Sequence, residues 1–597
     1  MTPEAWLTVA ILAATFAALL WTKIPPVTVF LGALTLCITF RLAPLDRSLA
    51  GFANSAVLTI GALFIVAAGM YSTGAISLLS EKLIGRPKTM TAAQLKILGP
   101  VTFGSAFLNN TPLVAMMIPV IRDLSRSTGL DKSKLYIPLS YASILGGTCT
   151  LIGTATNLII AGLVADAIAG GQAGNAVLRE IELFDPSWVA VPAAILGLLL
   201  LMVTSRWLLR AREGEDSAPI AKRRYGAEFV IPEGSPLAGR TLEAAGLANP
   251  VGFDIVDIIR TDGSRVGLDA DTRLAAGDVL VLSVGLDALG DLWTMQGLEP
   301  LHTMRPMETE RYDHRLVEAV IAPGSRAIGR RVSEFPLPDS PYEVTLVALS
   351  RHDRPVDGRL RDVRVEVGDV AVLEVDESFF YVNSQETELS LVRRVAGFRI
   401  RRWHRAAVAA GITAAMVTAA ATGWMTMLNA ALLASGLMLL TGCLTLRVAA
   451  RSIDYGTLGV LAAAIGVAAA VSESGLADVI ASALTRIGAG VPLAALAAVF
   501  LGRVVMANLI TNAASAVFMF PIALSMADQL GVSFMPFAIA LMTGTVGAAI
   551  TPAAYQTNLM VYEPGGYAFM DFVKMGVPLT LLVGAVTLLL APVVFPF

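Results

Sequence analysis

The sequence predicts an all-α polytopic membrane protein with a soluble α/β insert, and three observations predict it. Of the 597 residues, 55% are hydrophobic and 15% charged, whereas soluble domains carry about a quarter charged residues. The charge is segregated: residues 1–206 and 403–597 are apolar runs divided by short loops, and residues 207–402 hold most of the charged side chains. Many of the apolar runs are as long as a bilayer-crossing helix, which needs about 20 residues.

The first block contains apolar runs at 4–22, 25–45, 54–80, 135–163 and 187–206. The second contains 403–421, 424–446, 455–472, 534–562 and 574–596. The run Ala5 to Trp21 has no Lys or Arg ahead of it, so it reads as a retained span and not as a signal peptide. Two further stretches are interrupted by polar steps, 98–121 at Asn109-Asn110-Thr111-Pro112 and 492–526 at Thr511-Asn512. As re-entrant hairpins they leave five crossings per block, so the two blocks take opposite orientations. Charge agrees with this. With residues 207–402 in the cytoplasm, Lys82, Arg86, Lys96 and Arg122 fall inside, as the positive-inside rule requires, and both termini are extracytoplasmic.

The blocks share a motif pair. FLNNTPLVAMMIPVI (107–121) precedes GGTCTLIGTATNLII (146–160), and LITNAASAVFMFPIAL (509–524) precedes TGTVGAAITPAAYQTNLMV (543–561). Asn110 and Asn157 are 47 residues apart, Asn512 and Asn558 46. A repeat in opposite orientations marks an inverted-repeat transporter. Backbone breaks survive in hydrocarbon only where they line a cavity or bind something. Half-helix N-termini attract anions, while unwound carbonyls, Asn oxygens and Thr hydroxyls suit a hard cation. Gly146, Gly147, Gly153, Gly544 and Gly547 permit close backbone approach. A single Asn, Thr or Gly is most often helix-packing material; two matched pairs of such steps are not explained that way.

Other classes find little support. A net charge of -3 argues against a nucleic-acid partner. Cys37, Cys149 and Cys443 lie far apart in apolar runs and read as packing thiols. His302, His314, His352 and His404 fall in or beside the insert, so none serves a mid-membrane proton relay. No nucleophile–base pair or metal cluster emerges, and an enzyme is not expected.

The insert is itself duplicated. PEGSPLAGRTLEAAG (232–246) matches APGSRAIGRRVSEFP (322–336), and LAAGDVLVLSV (274–284) matches VEVGDVAVLEV (365–375). Each copy reads strand, short helix, alternating strand, turn, strand, with Asp262-Gly263 and Asp357-Gly358 as turn signals. The domain boundaries expected are 1–206 for membrane repeat 1, 207–305 and 306–402 for the two lobes, and 403–597 for membrane repeat 2. No GxGxxG loop supports Rossmann-type nucleotide binding.

On these residues the chain resembles the divalent anion–sodium symporter family, within the ion-transporter superfamily of elevator-type carriers. Asn109-Asn110-Thr111 matches the Ser-Asn-Thr hairpin signature with Asn for Ser, and Thr511-Asn512-Ala513 matches it with Thr for Ser and Ala for Thr. TPAAYQTNLMVYEPGGYAFMDFVKMGVPL is most similar to the branch with inserted TrkA-C (RCK C-terminal) domains, which includes sulfate permeases. The resemblance implies a multi-pass inner-membrane symporter and, with TrkA-C domains that pair, a homodimer. Its co-substrates are sodium and a small oxyanion, sulfate first. One sodium would be held by Asn110, Gly153, Thr154 and Asn157, the other by Asn512, Thr551 and Asn558. The anion would meet Asn109, Asn110, Thr111, Thr511 and Asn512. Ala513 lacks the family hydroxyl, which favours a compact anion over a dicarboxylate. A dicarboxylate carrier, a cation/proton antiporter of the same superfamily and a TrkA-C-gated channel are the alternatives. The hairpins hold no Asp or Glu, which favours sodium over proton coupling. Arg503, inside the second hairpin, is a functional candidate by its position or a side chain that snorkels to the interface.

Overall fold

A computed structural model describes residues 2–22, 24–73, 89–171, 174–209 and 403–597. In the insert it describes 224–245, 253–269, 271–285, 297–301, 315–322, 327–334, 344–351, 354–356, 359–375 and 389–394, with scattered single residues besides. Residues 74 and 76–80 of the expected span 54–80, with Lys82, Arg86, His302, His314, His352 and the turn Asp357-Gly358, lie outside the described residues. The chain divides into two compact units, Met1–Gly214 with Trp403–Phe597, and Glu215–Arg402.

The first unit is helical. Its first block runs α1 (Pro3–Trp21), α2 (Pro26–Thr39), α3 (Leu45–Leu49), α4 (Ser55–Ser72), α5 (Met90–Ser105), α6 (Asn110–Thr128), α7 (Ser133–Gly147), α8 (Ala155–Ala169) and α9 (Ser187–Leu208). Its second runs α10 (Trp403–Ala421), α11 (Met427–Leu440), α12 (Leu446–Ser452), α13 (Tyr455–Glu473), α14 (Leu476–Ile487), α15 (Pro492–Leu509), α16 (Asn512–Leu530), α17 (Met535–Thr543), α18 (Gln556–Tyr562) and α19 (Phe569–Val594). Side chains set many of the starts. Thr2 caps α1 through Ala5 N, with Pro3 at the first helical position. Asn54 caps α4 through Ala56 N and Val57 N, and Thr426 caps α11 through Asn429 N. Left-handed glycines, Gly129 and Gly531, stop α6 and α16.

Several elements of the two blocks correspond in length. α1 and α10 both have 19 residues, α2 and α11 both 14, and α6 and α16 both 19. Packing is reciprocal: α2 lies on α13 while α11 lies on α4, α8 contacts α16 while α18 contacts α6, and α9 packs on α19. Among the described residues, six helical stretches are long and apolar enough to cross a membrane: Leu45–Ser72, Ser187–Leu208, Tyr455–Glu473, Pro492–Leu509, Asn512–Leu530 and Phe569–Val594. All three cysteines are buried and free, in keeping with packing.

The structure alters several expected boundaries. The interrupted stretches 98–121 and 492–526 are parts of longer helix pairs, Met90–Thr128 and Pro492–Leu530; polar residues such as Gln94, Lys96 and Asp123 hid their ends from an apolar count. The run 135–163 is two helices separated by the link 148–154. The run 534–562 is a helix, a 3-10 segment (Gly544–Ala549), the link 550–555 and a short helix. The run 25–45 contains a helix of 14 residues, about 21 Å at 1.5 Å per residue. That is short of the ~30 Å hydrocarbon core. The chain turns at Phe40 and enters the small helix α3 instead.

The insert is built on one ten-stranded sheet. Its strands are β1 (Arg224–Val230), β2 (Phe253–Ile259), β3 (Arg265–Val266), β4 (Val279–Gly285), β5 (Glu299–Pro300), β6 (Arg315–Ile321), β7 (Val344–Arg351), β8 (Arg354–Pro355), β9 (Val370–Val375) and β10 (Leu389–Arg394). The order β10-β6-β9-β7-β1-β4-β2-β3 is antiparallel throughout, with β5 on β1 and β8 on β7. The duplication is visible in the bonding. Asp278 Oδ2 accepts from Ala275 N at 2.7 Å, and Asp369 Oδ2 from Glu366 N at 2.8 Å. Arg260 donates to Arg273 O and Arg351 to Arg364 O. The strand order within each copy follows expectation, but the short helix does not: turns occupy 236–239 and 242–245, and the second copy has a 3-10 turn at Val332–Glu334. Gly239 and Gly329 take φ of +82° and +79° there, which interrupts a segment already too short to nucleate a helix. Burial pushes the Glu228 carboxyl above its ordinary range, although Leu360 N donates to it at 2.9 Å.

Candidate functional site

In each half of the first unit, a helix pair with a polar tip meets a non-helical link. The first tip is Ala106–Asn109, between α5 and α6, with Asn109 at the N-cap of α6. Its link is 148–154. Close approach is possible because the opposing residues are glycines. A Cβ on Gly146 would stand 2.1 Å from Thr102 O, and one on Gly153 would stand 2.7 Å from Ser105 O. A Cβ on Gly147 would fall 2.8 Å from the Asn110 side chain.

Asn110, 1% exposed, ties tip to link. With its amide oriented to satisfy both ends, the nitrogen donates to Ser143 O at 3.2 Å and Gly153 O at 3.3 Å, and the oxygen accepts from the Tyr555 hydroxyl at 2.8 Å. Tyr555 also hydrogen-bonds Thr154. The second half's link therefore touches both sides of the first half's site. Asn157 donates to Thr148 O at 3.2 Å and Thr150 O at 2.8 Å, pinning the link. Asn157 Oδ1 is buried and meets no donor.

The second half repeats the plan with different partners. Asn558 donates to Ala548 O at 2.9 Å and Thr551 O at 3.0 Å, as Asn157 does to its own link. Its Oδ1, however, accepts from Ser140 Oγ at 2.7 Å. The tip arm reaches the link through Asn508: its amide donates to Gly547 O at 2.9 Å, and its Oδ1 accepts from Thr551 Oγ1 at 3.0 Å. Asn512 instead pairs with Arg503. The guanidinium donates to Asn512 Oδ1 at 2.5 Å, to Ser515 Oγ, and at 3.5 Å to Thr545 Oγ1. Arg503 is 0% exposed, so it does not snorkel to an interface; those three acceptors hold it inside.

The structure thus brings together Asn110, Gly153, Thr154 and Asn157. It joins Thr551 to Asn558, with Asn508 as the tip partner in the place expected for Asn512. Among the anion candidates, Thr111 Oγ1 donates to Gln556 Oε1 at 3.2 Å, and Thr511 caps α16 through Ala514 N. Asn109 lines a mostly apolar groove with Ile60, Phe64 and Leu158. Sequence reasoning missed Ser105, Ser140, Asn508, Ser515, Thr545 and Tyr555. Asn508 carried a signal, a polar side chain in a buried helical arm. Among the described residues, no group of three or more His, Cys, Asp and Glu side chains is placed to hold a metal ion.

The two halves differ in chemistry. The first offers an unmet oxygen beside pinned carbonyls, suited to a hard cation. The second offers a guanidinium with no carboxylate partner among the described residues, beside the N-terminus of a 19-residue helix, suited to an anion.

Comparison with known proteins agrees with a transporter. A Chlamydomonas reinhardtii protein named as a sulfur deprivation response regulator is 31% identical, over 90% of this chain and 93% of its own. An uncharacterized transporter of Synechocystis is 30% identical, over 95% and 93%. Sodium/sulfate cotransporter 1 of Chlamydomonas reinhardtii is 26% identical, over 90% and 84%. The profile of the citrate transporter family matches residues 16–544. A mostly helical, multi-pass unit with several membrane-length apolar helices, relatives named as transporters and a profile match over most of its length together place the chain in the citrate transporter family (CitMHS).

Proposed function

We propose that the chain is a sodium-coupled symporter of a small divalent oxyanion, sulfate first, working by elevator-type alternating access. Its architecture is an inverted repeat of five spans and one re-entrant hairpin per half. Two TrkA-C-like cytoplasmic lobes serve regulation or assembly of a homodimer. Asn157 carries the reading: its Oδ1 is buried and unmet among backbone carbonyls that its own amide holds in place. An unpaired buried acceptor is costly, and a sodium ion would satisfy it. The equal lengths of three helix pairs and the reciprocal packing of the two blocks support the repeat. Relatives named sodium/sulfate cotransporters support the choice of co-substrates.

The test is uptake of labelled sulfate into proteoliposomes. An inward sodium gradient should drive accumulation, and collapse of the proton gradient should leave it intact. Accumulation driven by a pH gradient in sodium-free buffer would overturn the coupling. A second reading, a carrier of citrate or a dicarboxylate, has the family description in its favour. Stronger competition by citrate or succinate than by thiosulfate would favour it.

A further inference from the structure

We infer that Arg503 is a resident cation of the second half-site, taking there the place of a bound sodium and supplying the positive charge that faces the anion. This rests on the proposed symport of a divalent oxyanion. Three observations carry it. First, Arg503 is fully buried, and among the described residues no carboxylate lies within ion-pair distance of it. Guanidinium stays protonated in proteins, so an uncompensated positive charge sits inside the apolar unit, and such charges mark ligand sites.

Second, the amide oxygens that a sodium would use in this half are engaged. Asn512 Oδ1, Ser515 Oγ and Thr545 Oγ1 accept from Arg503, and Asn558 Oδ1 accepts from Ser140. The first half differs, since Asn157 Oδ1 is unmet. Third, the unmet groups have opposite character. In the second half they are donors, Arg503 Nε and Asn512 Nδ2, on side chains 0% and 5% exposed. Asn512 opens α16, whose free N–H groups favour the same kind of ligand. Buried donors without acceptors call for an anion, and buried acceptors without donors for a cation. One sodium in the first half and one guanidinium in the second match the two negative charges of sulfate.

Proteoliposomes containing the full chain test this. Sodium activation of sulfate uptake should follow a Hill slope of about one, since the slope cannot exceed the number of coupled sites. Arg503→Gln should weaken sulfate affinity at least about tenfold, with little change in the sodium half-activation. Arg503→Lys, which keeps the charge, should recover most of that loss. If Arg503 is merely a tie between α15 and α16, Arg503→Gln will lower thermal stability and Arg503→Lys will not restore affinity; that result overturns the inference. A wild-type slope of about two overturns it with no variant needed, as does monodisperse Arg503→Gln with unchanged affinity. Sulfate uptake without sodium dependence removes the symport reading and this inference together. Sodium-driven uptake with any of the other adverse results removes this inference alone.

Discussion

Asn157 and Asn558 make the same two backbone bonds in their own halves and differ in the fate of one oxygen. Each amide nitrogen pins two backbone carbonyls in or next to its link, but Ser140 occupies Asn558 Oδ1 while Asn157 Oδ1 meets no donor. If that oxygen is a sodium ligand, Asn157→Ala should raise the sodium half-activation of sulfate uptake by about tenfold, about 1.4 kcal/mol of binding. Asn558→Ala leaves the Ala548 and Thr551 carbonyls unpaired. It should cost about 1–3 kcal/mol of stability with a smaller effect on sodium. Sodium titration of uptake, beside thermal unfolding of each variant, separates the two. Equal sodium responses would remove Asn157 from the cation site. Both asparagines were legible in the sequence, because each ends a repeated Thr-Asn step. Asn508 was not, because four residues before Asn110 the first half has Ala106, and the repeat draws no attention to the position. Arg503 was legible as an intramembrane charge, but its long side chain could reach an interface or a site; burial distinguishes the two.

The elements that form the site are the breaks in its helices, and these were legible only in part. Composition marked both polar tips, since Asn and Thr interrupt apolar runs there. It marked the links as Gly/Thr-rich steps but not their extent, since 148–154 and 550–555 sit inside runs, 135–163 and 534–562, that read as continuous spans. Their non-helical path depends on close tertiary contact, which glycine permits. Gly146 is the sharpest case, with Thr102 O 2.1 Å from the position of a Cβ. Gly146→Ala should push the end of α7 off α5 and shift the link that follows it, costing about 1–3 kcal/mol as overpacking and abolishing most uptake. Gly99 is the control: it lies in α5 with no heavy atom within 4 Å of its Cβ position. Gly99→Ala should hold or raise stability by up to about 1 kcal/mol and leave uptake unchanged. Thermal unfolding of the two purified variants gives the comparison. A Gly146→Ala protein as stable and active as wild type would show that the contact with Thr102 is not required.

At the scale of the whole molecule, the chain contains two duplications that share no structural plan. In the membrane unit the repeated elements pack reciprocally across the halves, α2 on α13 and α11 on α4, so neither half buries its surfaces alone. In the insert the copies join edge to edge, β1 pairing with β7 through Gly226 and Leu349, so one sheet runs through both. Offsets of 90 and 91 residues made the insert's duplication plain in the sequence. The continuous sheet was not legible, because pairing between copies leaves no periodic mark. Each unit has its own core. The tip and link residues, Ser105 to Asn157 and Arg503 to Asn558, all belong to the first unit. Replacing residues 220–392 with a short linker should therefore leave the anion selected, the sulfate affinity and the sodium half-activation unchanged. Maximal rate or oligomeric state is free to move, because a regulatory or assembly role acts there. Sulfate uptake competed by thiosulfate, citrate and succinate, measured for the intact and shortened chains side by side, decides this. A shortened chain that is monodisperse and still transports, but has changed which anion it prefers, would place part of the selectivity in the insert and contradict the assignment of the site to the membrane unit.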